Sequence, residues 1–121
     1  MKIATGVDLI EISRIEEVVA RYGRHYLERI FTPAEQEQCG KRTESLAGRF
    51  AAKEAAAKAL GCGIGDVGWK EIEILGDEQN APVLALHGAA RQKADNLGLT
   101  QWSVSISHSQ SHSVAFVVML G

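Results

Sequence analysis

The chain is 121 residues long, one domain by length and large enough to bury a core without a disulfide or structural metal. Hydrophobic residues make up 45% and charged residues 23%, the balance of an ordinary globular domain. A net charge of -2 argues against bulk nucleic-acid binding, so any anion-binding surface must be local.

No repeat, low-complexity stretch or Pro/Ser-rich linker divides the chain, which predicts a single domain over 1–121. Lys2 to Ile12 reads as extended, with Gly6 marking a close backbone approach. Ser13 and Glu16 have the spacing of a capping box, and Ile15, Val18, Val19 and Tyr22 follow at helical intervals as far as Gly23. Thr32-Pro33-Ala34-Glu35 is a second helix start. A long helix is expected from about Glu44 to Leu60, ended by Gly61. Trp69 to Leu75 and Val83 to Leu86 read as strands joined by a turn at Asp77 to Asn80, and a short helix covers Ala89 to Leu97.

Two strands close the chain. In the first, Trp102, Val104, Ile106 and His108 alternate with Ser103, Ser105, Ser107 and Ser109. The second, Ser113 to Leu120, is apolar on both faces, so both are expected to be covered, one of them by another subunit. Its apolar run, Val114 to Leu120, is far too short to cross a bilayer. Cys39 and Cys62, with no signal peptide ahead of them, fit a reduced cytoplasmic protein. Early helices and late hairpins predict an α+β fold, helices packed on an antiparallel sheet.

On a helical wheel, Leu46, Phe50, Ala57 and Leu60 form one arc of the long helix, with Glu54 and Lys58 stacked at its edge. That pair reads as an ordinary i,i+4 salt bridge worth a few tenths of a kcal/mol. Arg49, Lys53, Glu54 and Lys58 together also offer what a metal–polyphosphate site needs: a carboxylate for Mg²⁺ and cations for phosphate oxygens. Lys53 falls near the middle of the apolar arc, where it either snorkels out or joins that cluster. Asp8, in the apolar stretch Gly6 to Ile10, reads either as a turn acid or as a metal ligand beside a glycine that admits substrate.

His108 is a structural strand-end residue, or it donates a hydrogen bond to a phosphate or assists proton transfer. No G-x-S-x-G elbow accompanies the Ser/His strand, which removes the hydrolase-triad reading. His25, His87 and His112 lack zinc spacing. Gly61-Cys62-Gly63-Ile64-Gly65 follows a helix and reads as a connector, not a dinucleotide loop. Arg14 and Arg21 share a helix face, with Arg24 and Arg29 close behind; the group reads as solvated surface or as a patch steering an acidic partner.

Jointly these segments resemble one family, the holo-acyl-carrier-protein synthases, which are small phosphopantetheinyl transferases. Gly6-Val7-Asp8-Leu9-Ile10-Glu11-Ile12-Ser13-Arg14-Ile15 is similar to its N-terminal signature, and Phe31-Thr32 with Glu35 to the next landmark. Gly48-Arg49-Phe50-Ala51-Ala52-Lys53-Glu54-Ala55, continuing to Lys58-Ala59-Leu60-Gly61, resembles the central helix motif, and Ser105-Ile106-Ser107-His108-Ser109 the C-terminal one. The landmarks come in family order over nearly the whole chain. Ser113 departs from a common alanine, and Asn80-Ala81-Pro82 from a common Gly-x-Pro.

The resemblance implies Mg²⁺-dependent transfer of phosphopantetheine from coenzyme A to a serine of acyl carrier protein, in fatty acid biosynthesis. It also implies a homotrimer with active sites between subunits, and no nucleic-acid or membrane partner. It carries Asp8 and Glu54 over as metal ligands, and Lys58 as a pyrophosphate contact and possible proton acceptor. Arg49, His108 and Ser109 carry over as coenzyme contacts. Arg14 carries over as a carrier-protein contact, with Arg21 and Arg24 included by proximity. The acceptor of the serine proton stays open among Lys58, a metal-bound water and a carboxylate. Two competing readings are a Mg²⁺-dependent nucleotide phosphohydrolase and a non-catalytic carrier-protein-binding module.

Overall fold

The computed structural model describes residues 1–121. Strand β1 (Ile3–Glu11) leads directly into helix α1 (Ile12–Tyr22), followed by α2 (Arg24–Ile30), α3 (Pro33–Cys39) and the long α4 (Thr43–Ala59). A 3₁₀ turn (Trp69–Glu71) opens the hairpin β2 (Ile72–Gly76) and β3 (Pro82–Leu86); α5 (Gly88–Asn96), β4 (Gln101–His108) and β5 (His112–Leu120) complete the chain. The fold is α+β, as expected, but its strands form two antiparallel sheets: β1-β5-β4, and the separate hairpin β2-β3. No helix is long and apolar enough to cross a membrane.

The three-stranded sheet has one covered and one open face. Gly6, Asp8 and Ile10 of β1 pair with Val117, Ala115 and Ser113 of β5, which pair in turn with Val104, Ile106 and His108 of β4. This face turns toward α4, and Ala115, Val117 and Met119 are fully buried beneath it. The opposite face leaves Ile3, Val7, Leu9 and Phe116 exposed at 67%, 53%, 65% and 44%. The second apolar face of β5 is therefore uncovered within one chain.

Helix α4 is the centre of the molecule and is buried on nearly all sides, Ala51, Ala52, Ala55 and Ala56 completely. A single wheel arc understates this, because small alanines admit neighbours all round. Gly6 makes the closest approach: a methyl group there would overlap the Ala55 carbonyl and sit 2.9 Å from Ala59 N. At the other end, a Cβ on Gly48 would lie 2.9 Å from Ile106.

Several local expectations change. Thr32 and Glu35 do form a capping box, but Ser13 and Glu16 do not, since β1 continues to Glu11 and that residue caps α1 without a side-chain bond. Gly23 (φ 53) ends α1 and at once begins α2, a helix of only 7 residues too short to announce itself by periodicity. Trp69–Glu71 winds as 3₁₀ because the Glu71 carboxylate bonds Gly68 N at 2.6 Å, so the strand starts at Ile72. Asn80 takes φ 62, a left-handed conformation that Asn tolerates, which explains how it stands where Gly is common.

Candidate active site

Alternation along β1 sends Asp8 to the covered face, and α4 presents Glu54 to the same place. Both line a cleft of about 340 Å³ together with Leu9, Arg14, Tyr26 and Phe50. Burial pushes the Glu54 carboxyl above its ordinary value, and the Asp8 charge pushes it further the same way. The Lys58 ammonium opposes both.

The predicted Glu54–Lys58 salt bridge does not form. Lys58 Nζ instead reaches across to β1, donating to Val7 O at 2.9 Å and to Asp8 Oδ1 at 3.3 Å. A tertiary partner within reach displaces the i,i+4 one, whose worth is small at an exposed site. Nor does Lys53 snorkel: it is fully buried and paired with Glu35 at 2.7 Å.

Arg49 and His108 line a different cleft, of about 270 Å³, with Arg42, Ser45, Asn80 and Ile106. Asp8 lies on one edge strand and His108 on the other, with β5 between them and their rows offset by two residues. Two strand spacings alone are about 9.6 Å. Ser109 Oγ accepts from Ser111 N and His112 N at 3.2 Å each, so that hydroxyl is engaged in holding the β4–β5 turn.

Of the arginine patch, Arg14 alone lines the Asp8–Glu54 cleft. The Arg21 guanidinium sits over the Tyr22 ring at 5.7 Å, and Arg24 pairs with Glu28 at 3.1 Å. The structure thus joins Asp8, Glu54, Lys58 and Arg14, and keeps Arg49, His108, Ser109, Arg21 and Arg24 apart from them.

Sequence reasoning missed Tyr26. Its hydroxyl is buried without a hydrogen-bond partner in the chain, and burial pushes its pKa up to about 12. Its short helix α2 was the unrecognised element, so no pattern pointed that ring at the cleft.

Comparison with known proteins follows the same lines. The family model of the 4'-phosphopantetheinyl transferase superfamily matches residues 4–117. The holo-acyl-carrier-protein synthase of Herpetosiphon aurantiacus is 51% identical, with 98% of this chain and 99% of that protein covered. That of Natranaerobius thermophilus is 45% identical, with 98% of each covered. Among solved structures, the Helicobacter pylori holo-acyl-carrier-protein synthase in complex with coenzyme A superposes with a TM-score of 0.87 at 37% identity, covering 96% of this chain and 99% of that one. The Neisseria meningitidis enzyme gives 0.88 at 35% identity, covering 98% of each. Matched along nearly its whole length in sequence and in fold, the chain belongs to the holo-acyl-carrier-protein synthases of the 4'-phosphopantetheinyl transferase superfamily.

Proposed function

We propose that Asp8 and Glu54 are the carboxylates at which this enzyme transfers phosphopantetheine from coenzyme A to a serine of apo-acyl carrier protein, releasing adenosine 3',5'-bisphosphate. The observation that carries this reading is the cleft in which the two acids meet with Arg14, while Lys58 bonds Asp8 from behind.

The donor set fits Mg²⁺. Two carboxylates are what that ion usually takes from a protein, with phosphate oxygens and water completing its shell. No group of three or more His, Cys, Asp or Glu is present to hold a metal unaided, as suits an ion shared with a polyphosphate. Burial first, and then the Asp8 charge, raises the pKa of Glu54, and a divalent cation beside the two acids would favour its charged form against both. When bound, the ion would neutralise charge on the coenzyme's pyrophosphate. Lys58 has two of its three donors turned to Val7 and Asp8, leaving the third for a phosphate oxygen. Arg14 gives the cleft a cation for an acidic carrier protein, and Arg21 and Arg24 extend the basic character along the next turns.

Arg49 and His108 complete the site from a second subunit. They line a cleft near the β4 edge, and the acids belong to the β1 edge, so a head-to-tail ring joins one to the other. The exposed Ile3, Val7, Leu9 and Phe116 supply an apolar face for such a contact. A homotrimer is the ring the family resemblance implies. The free thiols Cys39 and Cys62 suit a cytoplasmic enzyme of fatty acid biosynthesis.

Incubation with apo-carrier protein, coenzyme A and Mg²⁺, followed by weighing the carrier by mass spectrometry, tests the reading. The carrier gains one phosphopantetheine with the wild type. With Asp8→Ala or Glu54→Ala transfer falls at least about 100-fold while circular dichroism is unchanged. Near-normal Mg²⁺-dependent turnover in either variant overturns the ligand assignment. Coenzyme cleavage without carrier would mark a phosphohydrolase, and an unaltered carrier mass a binding module.

A further inference from the structure

Strand β2 has only one partner strand, β3, so its other edge exposes backbone groups that must be satisfied elsewhere. Side chains of α3 and α4 satisfy them in order. Lys53 Nζ donates to Ile72 O at 2.6 Å. Glu35 Oε2 accepts from Ile74 N at 2.9 Å, and Arg49 Nε donates to Ile74 O at 2.9 Å. Gln38 accepts from Gly76 N at 2.7 Å and donates to Gly76 O at 3.1 Å. Four side chains thus stand in for a missing strand.

The spacing is what makes this possible. Arg49 and Lys53 are one turn apart on α4, about 6 Å along its axis. Ile74 and Ile72 are two residues apart on β2, about 6.7 Å. Two cations one helical turn apart therefore meet two successive outward carbonyls of a strand. Together the two bonds restrict both the axial position and the rotation of α4.

At the centre sits the Glu35–Lys53 pair, both side chains 0% exposed. Lys53 spends all three donors, on Glu35 Oε1 at 2.7 Å, Trp69 O at 3.0 Å and Ile72 O, and its charge lies 5.5 Å from the Phe31 ring centroid. Glu35 also accepts from Thr32 N at 2.9 Å. Burial pulls the Lys53 ammonium below its ordinary pKa, and the Glu35 charge opposes that pull. A buried ion pair is a poor source of net stability against an apolar core, so fixing a geometry is the better-founded role for it.

We propose that Glu35 and Lys53 are positioning residues for the metal site: by docking α4 on the open edge of β2 they set the helix rotation that turns the next residue, Glu54, toward Asp8. This rests on reading Asp8 and Glu54 as a divalent-cation site. Neither Glu35 nor Lys53 lines the Asp8–Glu54 cleft.

The test uses the full-length protein with coenzyme A and Mn²⁺, free Mn²⁺ being followed by electron paramagnetic resonance, beside transfer assays titrated with Mg²⁺. The variants are Glu35→Gln/Lys53→Met, which removes both charges together, and Asp8→Asn as the control for the metal site. For the double variant the Mn²⁺ dissociation constant should rise about 10-fold, as when an outer-shell partner of a ligand is lost. The Mg²⁺ concentration for half-maximal transfer should rise in step, while the rate at saturating Mg²⁺ stays within about twofold.

A reversibly unfolded fraction raises the apparent dissociation constant by the reciprocal of the folded fraction. Both midpoints are therefore compared after correction for the folded fraction read by circular dichroism, and corrected midpoints that do not move overturn the positioning role. If Asp8→Asn also leaves Mn²⁺ binding unchanged, the metal assignment falls and the positioning role falls with it. Should the double variant not fold, Glu35→Asp, which keeps the charge beside Lys53 but shortens its reach to Ile74 N, is read by the same two midpoints.

Discussion

Glu73, on the face of β2 toward α3, is held by two hydrogen bonds: from Thr32 Oγ1 at 2.6 Å, and with His87 Nε2 at 3.1 Å. Burial works against its charge, but those bonds and the nearby His87 and Lys53 outweigh it and leave its pKa below the ordinary carboxylate value. A carboxylate lowered in the folded state adds stability that is complete above its unfolded pKa and lost as pH falls through the folded one. Glu73→Gln should therefore lower Tm by about 4 °C near pH 6, for a loss of about 1 kcal/mol. That gap should close as pH falls below the ordinary carboxylate range and through the lowered folded pKa of Glu73. Melting curves from pH 3 to 7 measure it, and a gap constant with pH would contradict the assignment. Residue-scale chemistry was only partly legible in the sequence. The i,i+4 rule correctly placed Lys58 beside Glu54 but could not know that Asp8, 50 residues away, would stand closer. Lys53 looked misplaced on an apolar arc because its partner Glu35 sits on another helix.

Among the elements, α4 depends on glycine at its contact with β1. Gly6→Ala sets a methyl group against the Ala55 carbonyl, which belongs to a helix clamped on its far side by β2 and cannot retreat freely. Overpacking of this kind should cost about 2 kcal/mol, read as a lowered denaturant midpoint at unchanged m-value, with weaker Mg²⁺-dependent transfer as α4 shifts. A neutral result would mean that the helix rides more loosely than its contacts imply. Elements with strong local chemistry were legible: the serine alternation of β4, the Thr32–Glu35 box, and the glycine that ends α4. The Ser13–Glu16 box failed because strand pairing of β1 with β5 runs through Glu11 and claims the backbone first. A three-stranded sheet and a detached hairpin could not be told apart by strand patterns, since pairing is decided by long-range contacts.

At the scale of the molecule, one chain carries two separate clefts near opposite edges of its main sheet, one lined by Asp8 and Glu54 and the other by Arg49 and His108. A site shared between subunits predicts complementation. Asp8→Ala and His108→Ala proteins, each defective alone, should regain transfer when unfolded and refolded together, toward about a quarter of wild-type sites for random assortment. Mixing them without refolding should give less, and no recovery under either condition would assign both half-sites to one subunit. The sequence hinted at a contact with another subunit through a last strand that is apolar on both sides. It could not say which side was left open, because that depends on where α4 lies.

The side chains along β2 have a consequence for the lifetime of the protein. An unpaired strand edge is a template on which a second chain can add, and repeated addition is how ordered aggregates grow. Here the template is already read by Lys53, Glu35, Arg49 and Gln38, each attached to a helix that no incoming strand can displace one bond at a time. What aims a helix thus also closes the β2 edge of the hairpin to templated growth.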